Sequence, residues 1–372
     1  YQIFVTMTKE GDSLTFDYTG TSEQAPSYSN VGEVGGQGGV FGAVAPLLAY
    51  DMPWSQGVLN PLNIIIPKGT LVRAKFPTPC SLGTLCGGLV GAGNAAVGAV
   101  SKMLNSSGNY EELDVTALWG AITGAPIIAG VDQYGASFVA NFMDSEAAGG
   151  GATPTGDGID SGGHFFIPGG SCANVETYEV TFPILYLYRR QVTDSGGAGR
   201  ERGGVGGEWG LMLHDAPEGE AVANIFGYGT EAGMNAGICG GYPGIGFRYR
   251  IVRGSDIIER LGRGDLPESI EDFKGNLEVL KINELFTLKS GDVFSFRWGA
   301  GGGYGDPIDR DTERVQQDVI NRLVSLTAAR DIYGAEIDPE TIEIDVKKTE
   351  QKREVIRQER LRAQKHSRTS DC

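Results

Sequence analysis

Two stretches of the chain carry residues whose types and spacing could do chemistry. The first is Asp194-Ser-Gly-Gly-Ala-Gly-Arg-Glu-Arg-Gly-Gly-Val-Gly206, where Arg200 and Arg202 sit on a backbone with eight glycines among the fifteen residues from 196 to 210. Glycine loses the most conformational freedom in regular structure, so such a run is expected where the chain needs positive φ or close approach. Successive amide N–H groups in tight turns form concave anion nests, and two guanidinium forks beside them add bidentate recognition of carboxylate or phosphate. Substrate binding is therefore assigned to Arg200, Arg202, Asp194, Gly197 and Gly199. The competing reading is a structural crossover whose arginines pair with Asp194, Glu201 or Glu208.

The second stretch is Thr155-Gly-Asp-Gly-Ile-Asp-Ser-Gly-Gly-His-Phe-Phe166, dense in carboxylate and glycine around one of three histidines. His164 has Asp157, Asp160, Asp144 and Glu146 nearby in sequence, a set suited to general acid–base work or a mixed ligand group. His164, Asp160 and Glu146 are the catalytic candidates; the bland alternative is a loop histidine held by hydrogen bonds. With His366 in the tail and His214 lacking such company, a site built on two or three histidines is not supported, and the metal is left unassigned. No Gly-x-Ser-x-Gly elbow and no Walker loop occurs. Cys172, after Gly169-Gly-Ser, is a nucleophile only if a positive partner lowers its pKa.

Composition bounds the rest. At 372 residues with 40% apolar content, the chain can bury a sizeable core. The 58 glycines follow no Gly-X-Y period and cluster between strand-like runs. A formal charge of −16 argues against a nucleic-acid surface, although residues 347–368 hold nine Lys or Arg against three Glu. Five cysteines without zinc-type spacing read as reduced thiols of a cytoplasmic protein. No apolar run approaches the ~20 residues needed to span a membrane. The opening Tyr1-Gln-Ile-Phe lacks an initiator Met, as expected of a chain cut from something longer.

The elements that must position these residues follow from periodicity. Alternation predicts a hairpin over residues 1–19, short strands at Asn63–Ile66 and Thr70–Arg73, and strands through 114–142. Helical spacing marks Val40–Tyr50. Gly91, Gly93 and Ala96 match G-x-G-x-x-A, with Glu111 or Glu112 where a ribose-binding acid would stand; a small-residue helix packed on a neighbour makes the same pattern. Phe182–Arg190 reads as a strand covered on both faces, and Phe286–Trp298 as a hairpin about Ser290-Gly-Asp292. Val315, Val319, Leu323 and Leu326 recur at helical spacing, a second short helix stops at Gly334, and Pro339–Arg368 is a charged helix or tail. The expected class is α+β. A β-rich body of short, mainly antiparallel strands with Gly-rich loops fills 1–307, with a subdomain break near 110–120, and a helical C-terminal segment follows over 308–372.

Together, Phe16-Asp-Tyr-Thr-Gly-Thr21, Asp194-Ser-Gly-Gly-Ala-Gly-Arg-Glu-Arg-Gly-Gly204 and Gly301-Gly-Gly-Tyr-Gly-Asp-Pro-Ile-Asp-Arg310, with Val315 and Asp318, resemble the hydantoinase B/oxoprolinase family. The resemblance implies a subunit of a hetero-oligomeric, ATP-dependent enzyme whose ATP and Mg are bound by a hydantoinase A-like partner. Family chemistry includes biotin-independent carboxylation of ketones and opening of hydantoins, oxoproline and lactams. The family's upstream Gly-Gly-Thr-His-like motif, a candidate divalent-metal site, has no counterpart here, which implies a further chain supplying that region and a site shared between chains. The look of 157–166 and 174–186 leans towards ketone carboxylation, with Arg200 or Arg202 holding an anionic group and His164 or a neighbouring carboxylate taking the α-proton. Lactam or hydantoin hydrolysis is the competing enzyme reading, and a structural shell the non-enzymatic one.

Overall fold

The computed structural model describes residues 1–80, 88–108, 115–120, 126–142, 147–168, 172–225, 227, 234–282 and 284–370. Its first part holds strands β1 (Thr6–Glu10) and β2 (Ser13–Asp17), helix α1 (Glu33–Leu48), strand β3 (Leu62–Ile65) and helix α2 (Gly88–Asn105). Then come β4 (Ile127–Val131), β5 (Ser137–Asn141), β6 (Gly163–His164), β7 (Ile167–Pro168), α3 (Val175–Thr181), β8 (Ile184–Gln191), β9 (Gly207–Leu213) and β10 (Glu220–Ile225). The last are β11 (Arg248–Arg253), α4 (Ile257–Gly262), β12 (Asn276–Val279), β13 (Glu284–Lys289), β14 (Val293–Arg297), α5 (Thr312–Ile320), α6 (Leu326–Asp331) and α7 (Val346–Ser370). The class is the expected α+β, and every pairing of the described strands is antiparallel except β2 with β3. Among the described residues no helix is long and apolar enough to cross a membrane.

Two sheets, ordered β13-β10-β4-β5 and β12-β11-β14-β9-β8, share one core. The first sheet contributes Ala221, Ala223 and Ala140 beside Ile128, Ile225 and Leu288, and the second the larger Trp209, Phe294, Phe296 and Tyr249. Small against large lets the layers interdigitate at interior density. Rings meet at offset or edge geometry, Trp209 with Phe294 at 5.5 Å and Phe286 with Phe294 across the sheets at 5.3 Å.

The expected hairpin about Ser290-Gly-Asp292 is not one. β13 pairs with β10 in the first sheet, and β14 pairs with β9 and β11 in the second. The turn is held from both sides: the Ser290 amide donates to Gly219 O (2.8 Å), while the Asp292 carboxylate accepts from Arg253 (2.8 Å) and the Gly254 amide (3.0 Å). β8 also differs. It is an edge strand, half-buried along most of its length and interrupted by a bulge between Tyr186 and Tyr188, with Arg189 over the Tyr186 ring. Both faces are nonetheless covered in part, as expected: Ile184 and Tyr186 pack on the core between the sheets, and Leu185, Leu187 and Tyr188 on the cluster of Met212, Val252 and Ile257. Thr70–Arg73 forms only an isolated bridge.

At the N-terminal end, α1 starts at Glu33, seven residues before the Val40 at which helical spacing begins, and so takes in the glycines of 35–39. Glycine is tolerated there because it permits contact: a Cβ on Gly39 would stand 2.7 Å from Leu89 O of α2. Gly91, Gly93 and Ala96 lie within α2, with Gly93 packed against Gly39 O and the Phe166 ring, so the small-residue packing reading of this pattern is the one realised. Glu111 and Glu112 lie outside the described residues. Gly38, on the open side of α1 with nothing near its would-be Cβ, has no such reason to be glycine. Gly38→Ala is expected to raise stability by about 0.5–1 kcal/mol, read as a higher midpoint in urea; an unchanged or lower midpoint contradicts it.

The helical C-terminal segment folds back on the body. Asp311 caps α5 and Ser325 caps α6, and Gly334 (φ 64°) ends the turn after α6. The first half of α7 docks through Arg353 to Tyr333 O (2.9 Å), Arg357 to Asp309 (2.8 Å) and Arg360 to Asp306 (2.5 Å). This part of the basic tail is thus an internal clasp.

Candidate functional site

The glycine stretches converge in a bundle of extended segments that is not a sheet. Residues 147–152 bond to four separate segments: Gly149 N to Gly299 O, Gly150 N to Ile159 O, Ala152 N to Gly302 O, Gly204 N to Gly150 O, and Ala117 N to Ala152 O, all at 2.8–3.0 Å. A β-strand pairs with two neighbours at most. Here the amides and carbonyls of 147–152 instead turn to several neighbours in succession. Backbones can then lie where side chains would be. A Cβ on Gly149, Gly158, Gly203, Gly204 or Gly301 would fall within 3.0 Å of another segment's backbone. None of the glycines between 196 and 207 has positive φ, so close approach is their reason.

The amides of this loop are engaged inside the protein. Gly197 N donates to Gly301 O, Glu201 N to Tyr304 O, Gly203 N to Gly197 O and Gly207 N to Ala147 O. Two amides do hold anions, but the anions are the chain's own: Arg202 N binds Asp157 (2.6 Å) and Val205 N binds Asp160 (2.8 Å). A Cβ on Gly197 or Gly199 would meet the backbone of 242–243 or of 201 and 304. Asp194 (φ 60°) accepts from the Ser325 amide (2.7 Å) and ties the loop to the start of α6.

Around the bundle runs an alternating ionic network. Arg310, 1% exposed, donates both Nη groups to Asp157 at 2.7 Å and contacts Asp318 at 2.8 and 3.0 Å. Arg202, 3% exposed, pairs with Asp160 at 2.9 Å and approaches Asp318 at 3.5 Å. Arg314 bridges Asp157 (2.9 Å) and Glu201 (2.6 Å). Burial pushes the Asp157 carboxyl up, but Arg310 and then Arg202 outweigh it and hold the pKa below the usual range. For Asp318 burial wins and the pKa is raised. Arg200 differs from Arg202. Its Nη2 donates to Pro154 O (2.7 Å), its Nε lies 3.5 Å from Glu201, and it lies over the Tyr304 ring at 5.5 Å with the side chain 38% exposed.

His164 is 1% exposed, and burial lowers its pKa to about 4. Its Nδ1 accepts from the Phe166 amide (3.2 Å), so the neutral ring carries its proton on Nε2 and is a donor there. His164 and Asp160 share one loop, anchored by Ser161 N to Val205 O and Gly163 N to Ala148 O. Glu146 and Asp144 lie outside the described residues. Among the described residues no three His, Cys, Asp or Glu side chains are grouped as metal ligands, and the clustered carboxylates already face arginines. The described residues therefore do not fit a bound divalent ion. Cys80 and Cys239 are exposed thiols outside any disulfide.

Residues 1–307 match the hydantoinase B/oxoprolinase family. The chain belongs to that family. This hydantoinase B-family chain is 28% identical, over 98% of its length, to the acetophenone carboxylase delta subunit of Aromatoleum aromaticum, of which it covers 52%. It is also 28% identical, over 85% of its length, to the caprolactamase subunit beta of Pseudomonas jessenii, of which it covers 50%. The nucleotide-free structure of acetone carboxylase shares its fold at a TM-score of 0.85 and 24% identity, over 96% of this chain and 48% of that one. The chain spans about half the length of the curated relatives it matches.

The three motifs behind the resemblance have structural reasons. Phe16 on β2 and Tyr18 directly after it are fully buried, Tyr18 donating to Ala92 O of α2 (2.8 Å). The 194–204 and 301–310 stretches supply segments of the glycine bundle that pack on 147–152, and Arg310 and Asp318 belong to the ionic network around it. Residue spacing pointed to Arg200 and Arg202 but passed over Arg310 and Arg314. The signal that could have found them is the charge alternation of Asp306, Asp309, Arg310, Asp311 and Arg314 directly after a glycine loop.

Proposed function

We propose that this chain is one subunit of an ATP-dependent, multi-subunit enzyme that carboxylates a ketone without biotin through a phosphorylated enol. The observation that carries this reading is near full-length similarity to the acetophenone carboxylase delta subunit. In that reaction the ketone loses an α-proton, its enolate oxygen takes the γ-phosphoryl group of ATP, and ADP leaves. The enol carbon then bonds to CO2 derived from bicarbonate as the phosphoryl group passes to water. ATP and Mg are assigned to a hydantoinase A-like partner. The remainder of the active site is assigned to polypeptide corresponding to the half of the relatives this chain does not match, in a cytoplasmic complex.

Within this chain the part-exposed Arg200 is the proposed anion grip. Asp194, Gly197, Gly199, Arg202 and Asp160 hold the backbone that presents it, and Glu146 remains a proposed proton acceptor. His164, neutral with its proton on Nε2, is a proposed donor to developing charge on oxygen, since fixed donors act where charge develops. ATP-dependent opening of a lactam is the second reading, favoured by equal identity to the caprolactamase subunit; a structural shell is the third.

The test is ATP consumption by the copurified complex with ketone plus bicarbonate, or with a cyclic amide. Dependence on the ketone and bicarbonate is expected; dependence on the amide alone moves the assignment to the second reading. Arg200→Gln is expected to lower kcat/KM about 10- to 100-fold, as for one charge-assisted hydrogen bond, with assembly unchanged. Loss of assembly with unchanged turnover per complex favours the shell.

A further inference from the structure

The outer face of the second sheet is divided. Near α4, Met212, Val252 and Val293 pack beneath Ile257, Ile270 and Phe273. Further along the same strands the face turns ionic. Pairing register sets Arg190, Glu208, Arg297 and Arg248 side by side across β8, β9, β14 and β11. The adjacent row is Tyr188, Gly210, Ser295 and Arg250.

The carboxylates here are fewer than the cations. Buried Glu208 accepts from Arg250 (2.8 Å) and the Tyr188 hydroxyl (3.0 Å), with Arg190 at 3.9 Å. Glu271 takes the other Nη of Arg250 and lies 4.0 Å from Arg190. Arg297 has one long contact, Nη2 to Gly246 O at 3.4 Å, and its buried Nε has no partner. Among the described residues no carboxylate pairs with Arg297 or with exposed Arg248. Four guanidiniums thus share this face with two carboxylates, on a chain of net charge −16. Like charges directly opposite across strands are destabilising, and Arg297 is partly desolvated beside carboxylates, Glu208 and Glu271, that other arginines engage more closely. Burial, then Arg250 and Arg248, lowers the Arg297 pKa to about 10.

We propose that this row binds a doubly charged oxyanion of the phosphate type, gripped by Arg297 and Arg248 with Arg250 behind them. Directly paired residues on neighbouring strands stand about 5 Å apart, so two forks can converge on a single tetrahedral group. The excess of two positive charges equals the charge of one such dianion. Binding relieves the repulsion that the free protein carries. The site uses no residue of the glycine bundle and does not depend on the proposed reaction.

The experiment is calorimetric titration of the purified chain with inorganic phosphate and with sulfate, against chloride at matched ionic strength. One saturable site is expected for both dianions. Arg248→Gln is expected to weaken it about tenfold or more without lowering the thermal midpoint in chloride, because it also removes a repulsion. Arg297→Gln should do the same; if that variant does not fold, the exposed Arg248→Gln decides. Equal binding of glycerol phosphate would identify a phosphorylated metabolite as the source, and much weaker binding would identify free phosphate; either supports the site. No saturable heat with either dianion, or the same affinity in Arg248→Gln, overturns it, and the face is then left to acidic groups of a partner subunit.

Discussion

Gly301→Ala is expected to prevent stable folding of this chain, a change of one methyl group. Its Cβ would fall within 3.0 Å of Gly150 O and C and of Gly151 N, all backbone atoms. Flexible side chains can move aside, but these atoms are fixed by the Gly204 N to Gly150 O and Gly301 N to Gly204 O bonds. Relief would break hydrogen bonds in several segments at once. Overpacking a core with side chains costs typically about 1–3 kcal/mol; against backbone, about 4 kcal/mol or more is expected, a large share of a domain's ~5–15 kcal/mol. Soluble yield and thermal midpoint read this directly. A Gly301→Ala protein melting near wild type would show that the bundle is loosely packed, and the close-approach account of its glycines would have to be abandoned. Gly38→Ala, expected to stabilise, is the paired control for the same substitution.

Arg310→Met is expected to cost about 3–5 kcal/mol at neutral pH, because it leaves Asp157 and Asp318 out of water without their main counter-ion. The dependence on pH separates this from lost packing. In the wild type, Asp157 has a lowered folded pKa, so its contribution is present above the unfolded carboxylate value and is lost as pH falls through the folded pKa. Asp318, with a raised folded pKa, works in the opposite sense: stability falls as pH rises from its unfolded towards its folded value. Without Arg310 both carboxyls shift upward, and mild acid neutralises them inside the fold. The difference in midpoint between Arg310→Met and wild type should therefore shrink from pH 7 to about pH 4.5. A gap that stays constant over that range would mean that the methylene stem, not the charge, accounts for the loss.

The glycine bundle also bears on how any catalytic role would be exerted. Arg200 presents a part-exposed guanidinium from a backbone whose neighbours on either side are locked, at Gly199 by the 201 and 304 backbones and at Arg202 by Asp157 and Asp160. Rigid support of this kind lets a single fork hold an anion without paying for loop ordering at each encounter.

Local sequence determined several features. The β1–β2 hairpin, the stop at Gly334 and the α+β class follow from alternation, a terminating glycine and helical spacing, which act over a few neighbouring positions. So does the prominence of 194–207, because a run of glycines has few structural uses. Which use it serves was decided by tertiary structure. Glycine has no side chain to signal its neighbours, and the segments that press on Gly203 and Gly301 come from positions about 100 and about 150 residues away. The same holds for Arg202, whose carboxylate partners Asp160 and Asp318 lie far off in the chain, and for β13 and β14, which a three-residue turn sends into different sheets. Long-range pairing is chosen by burial and complementary charge in the assembled core, and neither is written in the spacing of adjacent residues.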